Sequence, residues 1–101
     1  MDKFVTGETI DFRIEIRNKE GVLVNPTTSI TISIWDSANS LKINVFAMTQ
    51  DDGLTGKYHY YYTTPATGPT GEWRVTYTAT SGSYVTKKRD RFAVIVEEVM
   101  D

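Results

Sequence analysis

The chain has 101 residues, 40% apolar and 24% charged, and eleven basic against thirteen acidic residues leave a formal charge of −2. That balance is too even for a chain that must neutralise many phosphates, so no nucleic-acid partner is expected. Cysteine is absent, which excludes disulfides, thiolate metal sites and cysteine nucleophiles. No apolar run approaches the roughly 20 residues that a membrane-spanning helix needs, so no membrane partner is expected either. Thr, Val and Ile number 32 together, Ala and Leu only 8. Branching at Cβ restricts χ1 in a helix and suits a pleated strand, so the composition predicts an all-β domain. The length suits one domain over 1–101, with an ordered core over about 4–96. Met1 to Gly7 lacks the apolar stretch of about 7–15 residues found in a secretory signal. The expectation is a product that stays where it is made; the alternative is a piece cut from a longer chain.

Along the chain, Ile10, Phe12, Ile14 and Ile16 alternate with Asp11, Arg13, Glu15 and Arg17, the pattern of a strand with one buried face. Asn18-Lys19-Glu20-Gly21 supplies a turn, Val22 to Val24 a short extended continuation, and Pro26 a stop. Ile30, Ile32 and Ile34 then alternate with Thr31, Ser33 and Trp35, which puts Trp35 on the polar face. Asp36 to Ser40 reads as a turn. Leu41 to Phe46 reads as a strand with Leu41, Ile43 and Val45 on one side, and Ala47 to Thr55 is irregular. In Lys57 to Thr64, parity sets Tyr58, Tyr60 and Tyr62 on one face and His59 and Tyr61 on the other, near Trp35. Pro65 to Gly71 is a connection. Trp73, Val75, Tyr77 and Ala79 alternate over Glu72 to Thr80, Ser81-Gly82-Ser83 is a hairpin turn, and Tyr84 to Val96 returns. Lys87 to Arg91 carries no apolar residue, so that stretch is exposed, twisted or bulged. Glu97 to Asp101 reads as a frayed end. About seven strands and no helical segment predict an antiparallel β-sandwich, with a small closed barrel as the rival.

The order of features also resembles a family. Thr6-Gly7-Glu8-Thr9 leads into the first alternating strand, Lys19-Glu20-Gly21 and Val24-Asn25-Pro26 follow, and Gly56-Lys57-Tyr58 and Thr64-Pro65 precede Gly71-Glu72-Trp73-Arg74-Val75. The sequence resembles bacterial and viral immunoglobulin-like domains, the macroglobulin-like variant in particular, over roughly residues 4–96. The Cys…Trp…Cys core of true immunoglobulin domains is missing. The resemblance implies an immunoglobulin-like sandwich, with Trp73, Val75 and Tyr77 in its core.

Candidate chemistry is sparse. His59 is the lone histidine, no G-x-S-x-G elbow or phosphate-cradling glycine motif is present, and no enzymatic activity or cofactor is expected. Asp51-Asp52 with Asp36 and Asn39 offer oxygens, but without the D-x-D-x-D-G pattern of a calcium loop, and no metal site is expected. Lys87, Lys88, Arg89 and Arg91 could meet an acidic partner or simply guard a strand edge. Exposed tyrosine and tryptophan suit wet interfaces and also stack on sugars. The candidate interface is therefore Trp35, His59, Tyr61, Lys87, Lys88, Arg89 and Arg91. With the resemblance, this implies a non-enzymatic structural or adhesive module. The expected setting is a virion (decoration, neck, tail or fibre protein, assembled in the host cytoplasm) binding capsid or tail proteins, with a homo-oligomer as an option. The alternative is a cell-surface or carbohydrate-binding accessory domain of a larger secreted protein, extracellular and meeting a cell-surface ligand.

Overall fold

A computed structural model describes residues 2–96 of the chain, and all regular structure in it is β. The strands are β1 (Asp2–Val5), β2 (Thr9–Glu15), β3 (Ser29–Trp35), β4 (Leu41–Ala47), β5 (Thr49–Gln50), β6 (Lys57–Thr63), β7 (Gly71–Ser81) and β8 (Tyr84–Ile95). They form a five-stranded sheet in the order β1-β8-β7-β3-β4 and a three-stranded sheet in the order β2-β6-β5. Glu97–Asp101, expected to fray, lies outside the described residues.

Two expectations need correction. The strands number eight rather than about seven, and the fold is not wholly antiparallel, because β1 runs parallel to β8 with Phe4 opposite Val94. β1 is only four residues long and carries no clear alternation, so its sequence gives no strand signal. It exists because β8 offers it an open edge and because Phe4 packs edge-on against Phe92, ring centroids 5.8 Å apart.

The alternating runs land where their periodicity placed them. Ile10, Phe12 and Ile14 of β2 and Tyr58 of β6 face Ile30, Ile32, Ile34, Trp73, Val75, Tyr77, Phe92 and Val94 of the larger sheet in a single hydrophobic core. Phe12 meets Phe92 across the layers at 5.4 Å, and Tyr62 meets Trp73 at 6.3 Å. Burying each such side chain contributes about 1.5–3 kcal/mol against chain entropy.

β4 departs from its pattern. Only Ile43 is buried there, while Leu41 and Val45 are exposed. A register shift lies between Ile32 and Ile34 of the neighbouring β3, and Val45 takes φ 54°. One extra residue reverses parity beyond it, so Phe46 comes opposite Ile32 and meets Tyr60 at the rim, 6.2 Å between centroids. Val22 to Val24 likewise forms no strand, only a single bridge between Arg17 and Leu23. Asn18 accounts for that: its side-chain oxygen accepts the N–H groups of Glu20 and Val22, both at 3.0 Å, and closes the chain into a local turn. β8 is exposed from Tyr84 to Arg91, and its register with β7 runs unbroken, so the charged stretch is exposed but not bulged.

Candidate interaction surface

Alternation and register together build the outward face of the larger sheet. Trp35 of β3, Arg74 of β7 and Arg91 of β8 form one cross-strand row. Ser33, Thr76 and Arg89 form the next, then Thr31, Thr78 and Lys87. The intervening rows, Ile34 with Val75 and Ile32 with Tyr77, point into the core. The Arg74 guanidinium sits 5.5 Å from the centre of the Trp35 ring and also donates to the Asn39 side-chain oxygen. Cation and aromatic face attract through the ring quadrupole, so Trp35 is tied to Arg74 rather than standing free. Arg91 pairs with Glu72 at 3.2 Å. Arg89 and Lys87 make no ion pair among the described residues. The shallow face is lined by Trp35, Arg74, Val75, Thr76, Lys87, Arg89, Asp90 and Arg91.

The sequence-derived set is thus divided by the fold. Trp35, Lys87, Arg89 and Arg91 come together. Lys88 does not join them: it pairs with Tyr77 and shares the inward side of β8 with Asp90. His59 and Tyr61 belong to β6 of the other sheet and face outward there, so the expectation that they lie near Trp35 is corrected. The two outward faces lie on opposite sides of the core.

On that second face, register puts Asp11 beside Tyr61, Arg13 beside His59 and Glu15 beside Lys57. Arg13 donates to Asp11 at 2.6 Å and to Asp51 at 2.9 Å, and the other Asp51 oxygen is hydrogen-bonded to His59 Nδ1. The bond to Asp11 is the main reason the Arg13 guanidinium holds its proton more tightly than usual. The His59 ring also leans on the Tyr61 ring, centroids 5.0 Å apart. No hydroxyl among the described residues is hydrogen-bonded to His59, whose Nδ1 meets the Asp51 carboxylate.

The acidic turn residues are used locally. The buried Asp36 carboxylate accepts the N–H groups of Ala38 at 2.9 Å and Ser40 at 2.8 Å, with Lys42 at 3.5 Å. Those contacts, the Ser40 bond foremost, hold its pKa below the ordinary carboxylate value. Among the described residues no three metal-ligating side chains gather.

Sequence reasoning missed Arg74 and the Arg13–Asp51–His59 network. Parity did place Arg74 outside. Its meeting with Trp35 depends on the register between β3 and β7, which no local pattern states. No protein-family model matches the chain, and no curated protein or solved structure matches it.

Proposed function

We propose that the chain is an immunoglobulin-like module, non-enzymatic, that binds an acidic protein surface against its five-stranded sheet. The observation that carries the binding reading is the juxtaposition of Trp35, Arg74, Arg91, Arg89 and Lys87 on one face, where four cations outnumber the carboxylates of Glu72 and Asp90 among the described residues. A face of that sign attracts carboxylates from a distance, and the Trp35 ring under Arg74 gives it an apolar group. Support for the immunoglobulin-like reading comes from the strand order. Four of the seven steps between the eight described strands cross from one sheet to the other around one core, and the first of these strands pairs parallel with the last.

The family resemblance supplies the setting, a virion component bound to capsid or tail proteins. Cosedimentation of the purified chain with candidate tailed-virus particles tests both parts. Binding is expected, weakened by salt and abolished in Lys87→Glu/Arg89→Glu. Binding to no particle overturns the virion setting, and binding retained by the double variant overturns the docking face.

A second reading rests on Tyr61, which is 56% exposed beside His59 on the opposite face. Such a ring could stack on a sugar, as in a cell-surface module. Glycan-array binding lost on Tyr61→Ala would favour it, and a blank array at millimolar protein would count against it.

A further inference from the structure

Sheets leave edges, and the edges here are unequal. β5 has two residues and β1 four, too short to template a partner. β4 is broken by its bulge. The half of β8 beyond β1 carries Lys87, Lys88 and Arg89 on both faces, and like charges there repel a second copy. β2 has none of these guards. It is seven residues long, without proline, glycine or bulge, its inward residues are Ile10, Phe12 and Ile14, and among the described residues it pairs with β6 alone.

The ladder to β6 is bracketed by Thr64 N–H to the Glu8 carbonyl at 3.0 Å and Ile16 N–H to the Gly56 carbonyl at 2.7 Å. Antiparallel pairing alternates, so the even positions Ile10, Phe12 and Ile14 turn their main-chain groups to β6. The N–H and C=O groups of Thr9, Asp11, Arg13 and Glu15 therefore point out of the sheet edge.

We infer that β2 is a homodimerisation strand: two copies pair β2 to β2, antiparallel about Phe12, and join two three-stranded sheets into one. Pairing outward-pointing groups requires odd residues opposite odd residues. The register that uses all seven positions sets Thr9 opposite Glu15 and Asp11 opposite Arg13 of the second copy, twice by symmetry. That makes roughly eight main-chain hydrogen bonds, two per outward-pointing pair. Sliding by two residues one way puts Asp11 opposite Asp11. Sliding the other way puts Arg13 opposite Arg13 and Asp11 opposite Glu15. The charges on this strand thus favour the full register and oppose both neighbouring ones. On the inward side, the full register sets Phe12 against Phe12 and Ile10 against Ile14, which continues the apolar layer across the junction.

Sedimentation of the full chain over a range of concentrations, together with amide hydrogen exchange, tests this. The expected result is a concentration-dependent dimer in which the Thr9, Asp11, Arg13 and Glu15 amides slow on association while those along β8 do not change. Asp11→Arg and Arg13→Asp should each weaken the dimer by about tenfold, since each turns two attractive pairs into repulsive ones. The combined swap should restore it. Asp11→Pro removes an edge donor without removing a bond to β6, so it should give a folded monomer by circular dichroism. A folded wild type that stays monomeric overturns the inference. So does a dimer insensitive to both single reversals, or one whose amide protection falls on another edge. Any of these leaves the acidic-partner reading standing, because that face belongs to the other sheet.

Discussion

Trp73 donates its indole N–H to the Pro69 carbonyl, 2.9 Å away, while its ring is fully buried between the sheets. One side chain thereby ties the connection before β7 to the centre of the core. Its ring also contacts Phe92 at 5.9 Å and Tyr62 at 6.3 Å. Trp73→Ala should destabilise the fold by about 3–5 kcal/mol. Trp73→Phe keeps most of the apolar surface but strands the Pro69 carbonyl, and should cost about 1–3 kcal/mol. Urea midpoints followed by circular dichroism separate the two. A Trp73→Phe variant as stable as the wild type would mean that the hydrogen bond contributes nothing.

Gly56 and Gly53 form a matched pair for testing close approach. Gly56 has φ 77°, and an added Cβ would lie 2.9 Å from the Ile16 carbonyl oxygen and 3.0 Å from the Val24 nitrogen. Its N–H also donates to the Asn25 side chain at 2.8 Å, which holds the Tyr58 hydroxyl as well. Gly53 has φ 68° and open space around it. Gly53→Ala should therefore cost only the left-handed backbone conformation, about 1 kcal/mol. Gly56→Ala should cost about 2–4 kcal/mol, because backbone has to move as well. Thermal melts of the two variants decide; similar losses would rule out the steric account.

Burial raises the pKa of the Tyr77 hydroxyl from 10.0 to about 12, and the Asp90 charge adds to the effect. Above pH 10 the unfolded chain loses this proton while the folded chain keeps it. The stabilisation is therefore complete below pH 10 and is lost as pH rises toward 12, by something on the order of 2–3 kcal/mol. Tyr77→Phe should flatten that alkaline decline. Burial also raises Tyr58, Tyr60 and Tyr62, so some slope will persist in the variant. Urea unfolding across the alkaline range, with tyrosinate absorbance, measures it.

Asp36 behaves in the opposite sense. Its folded pKa lies below the model-peptide value of 3.8, through the backbone N–H of Ser40 first and then Ala38 and Lys42. The stability it confers is present above that value and disappears as pH falls through the folded pKa. Asp36→Asn should thus lower the unfolding midpoint at neutral pH and converge with the wild type in acid. A constant offset at every pH would show that charge plays no part.

Much of the fold is legible locally. Ile10 to Ile16, Ile30 to Ile34 and Trp73 to Ala79 alternate with period two, and each run became a strand with those residues facing the core. The Tyr58, Tyr60 and Tyr62 parity held, and Tyr61 is exposed. The candidate site was legible only as two unconnected halves. Trp35 and the Lys87–Arg91 cations were visible as outward residues, but the Arg74 stack that lies between them was not.

What the sequence determined by itself was which residues of the regularly alternating strands β2, β3 and β7 face in and which face out. Side-chain direction in an extended backbone reverses at each step whatever the strand lies beside. Which strands became neighbours, in what register, and which edges stayed open were decided by tertiary structure. β1 exists because β8 gave it an edge, Val45 turned outward because one residue too many lay opposite β3, and β2 kept one edge open because, among the described residues, it pairs only with β6. Those outcomes depend on contacts between residues far apart in the chain, whose favourability includes loop closure and packing across two layers, and no window of neighbouring residues contains that information.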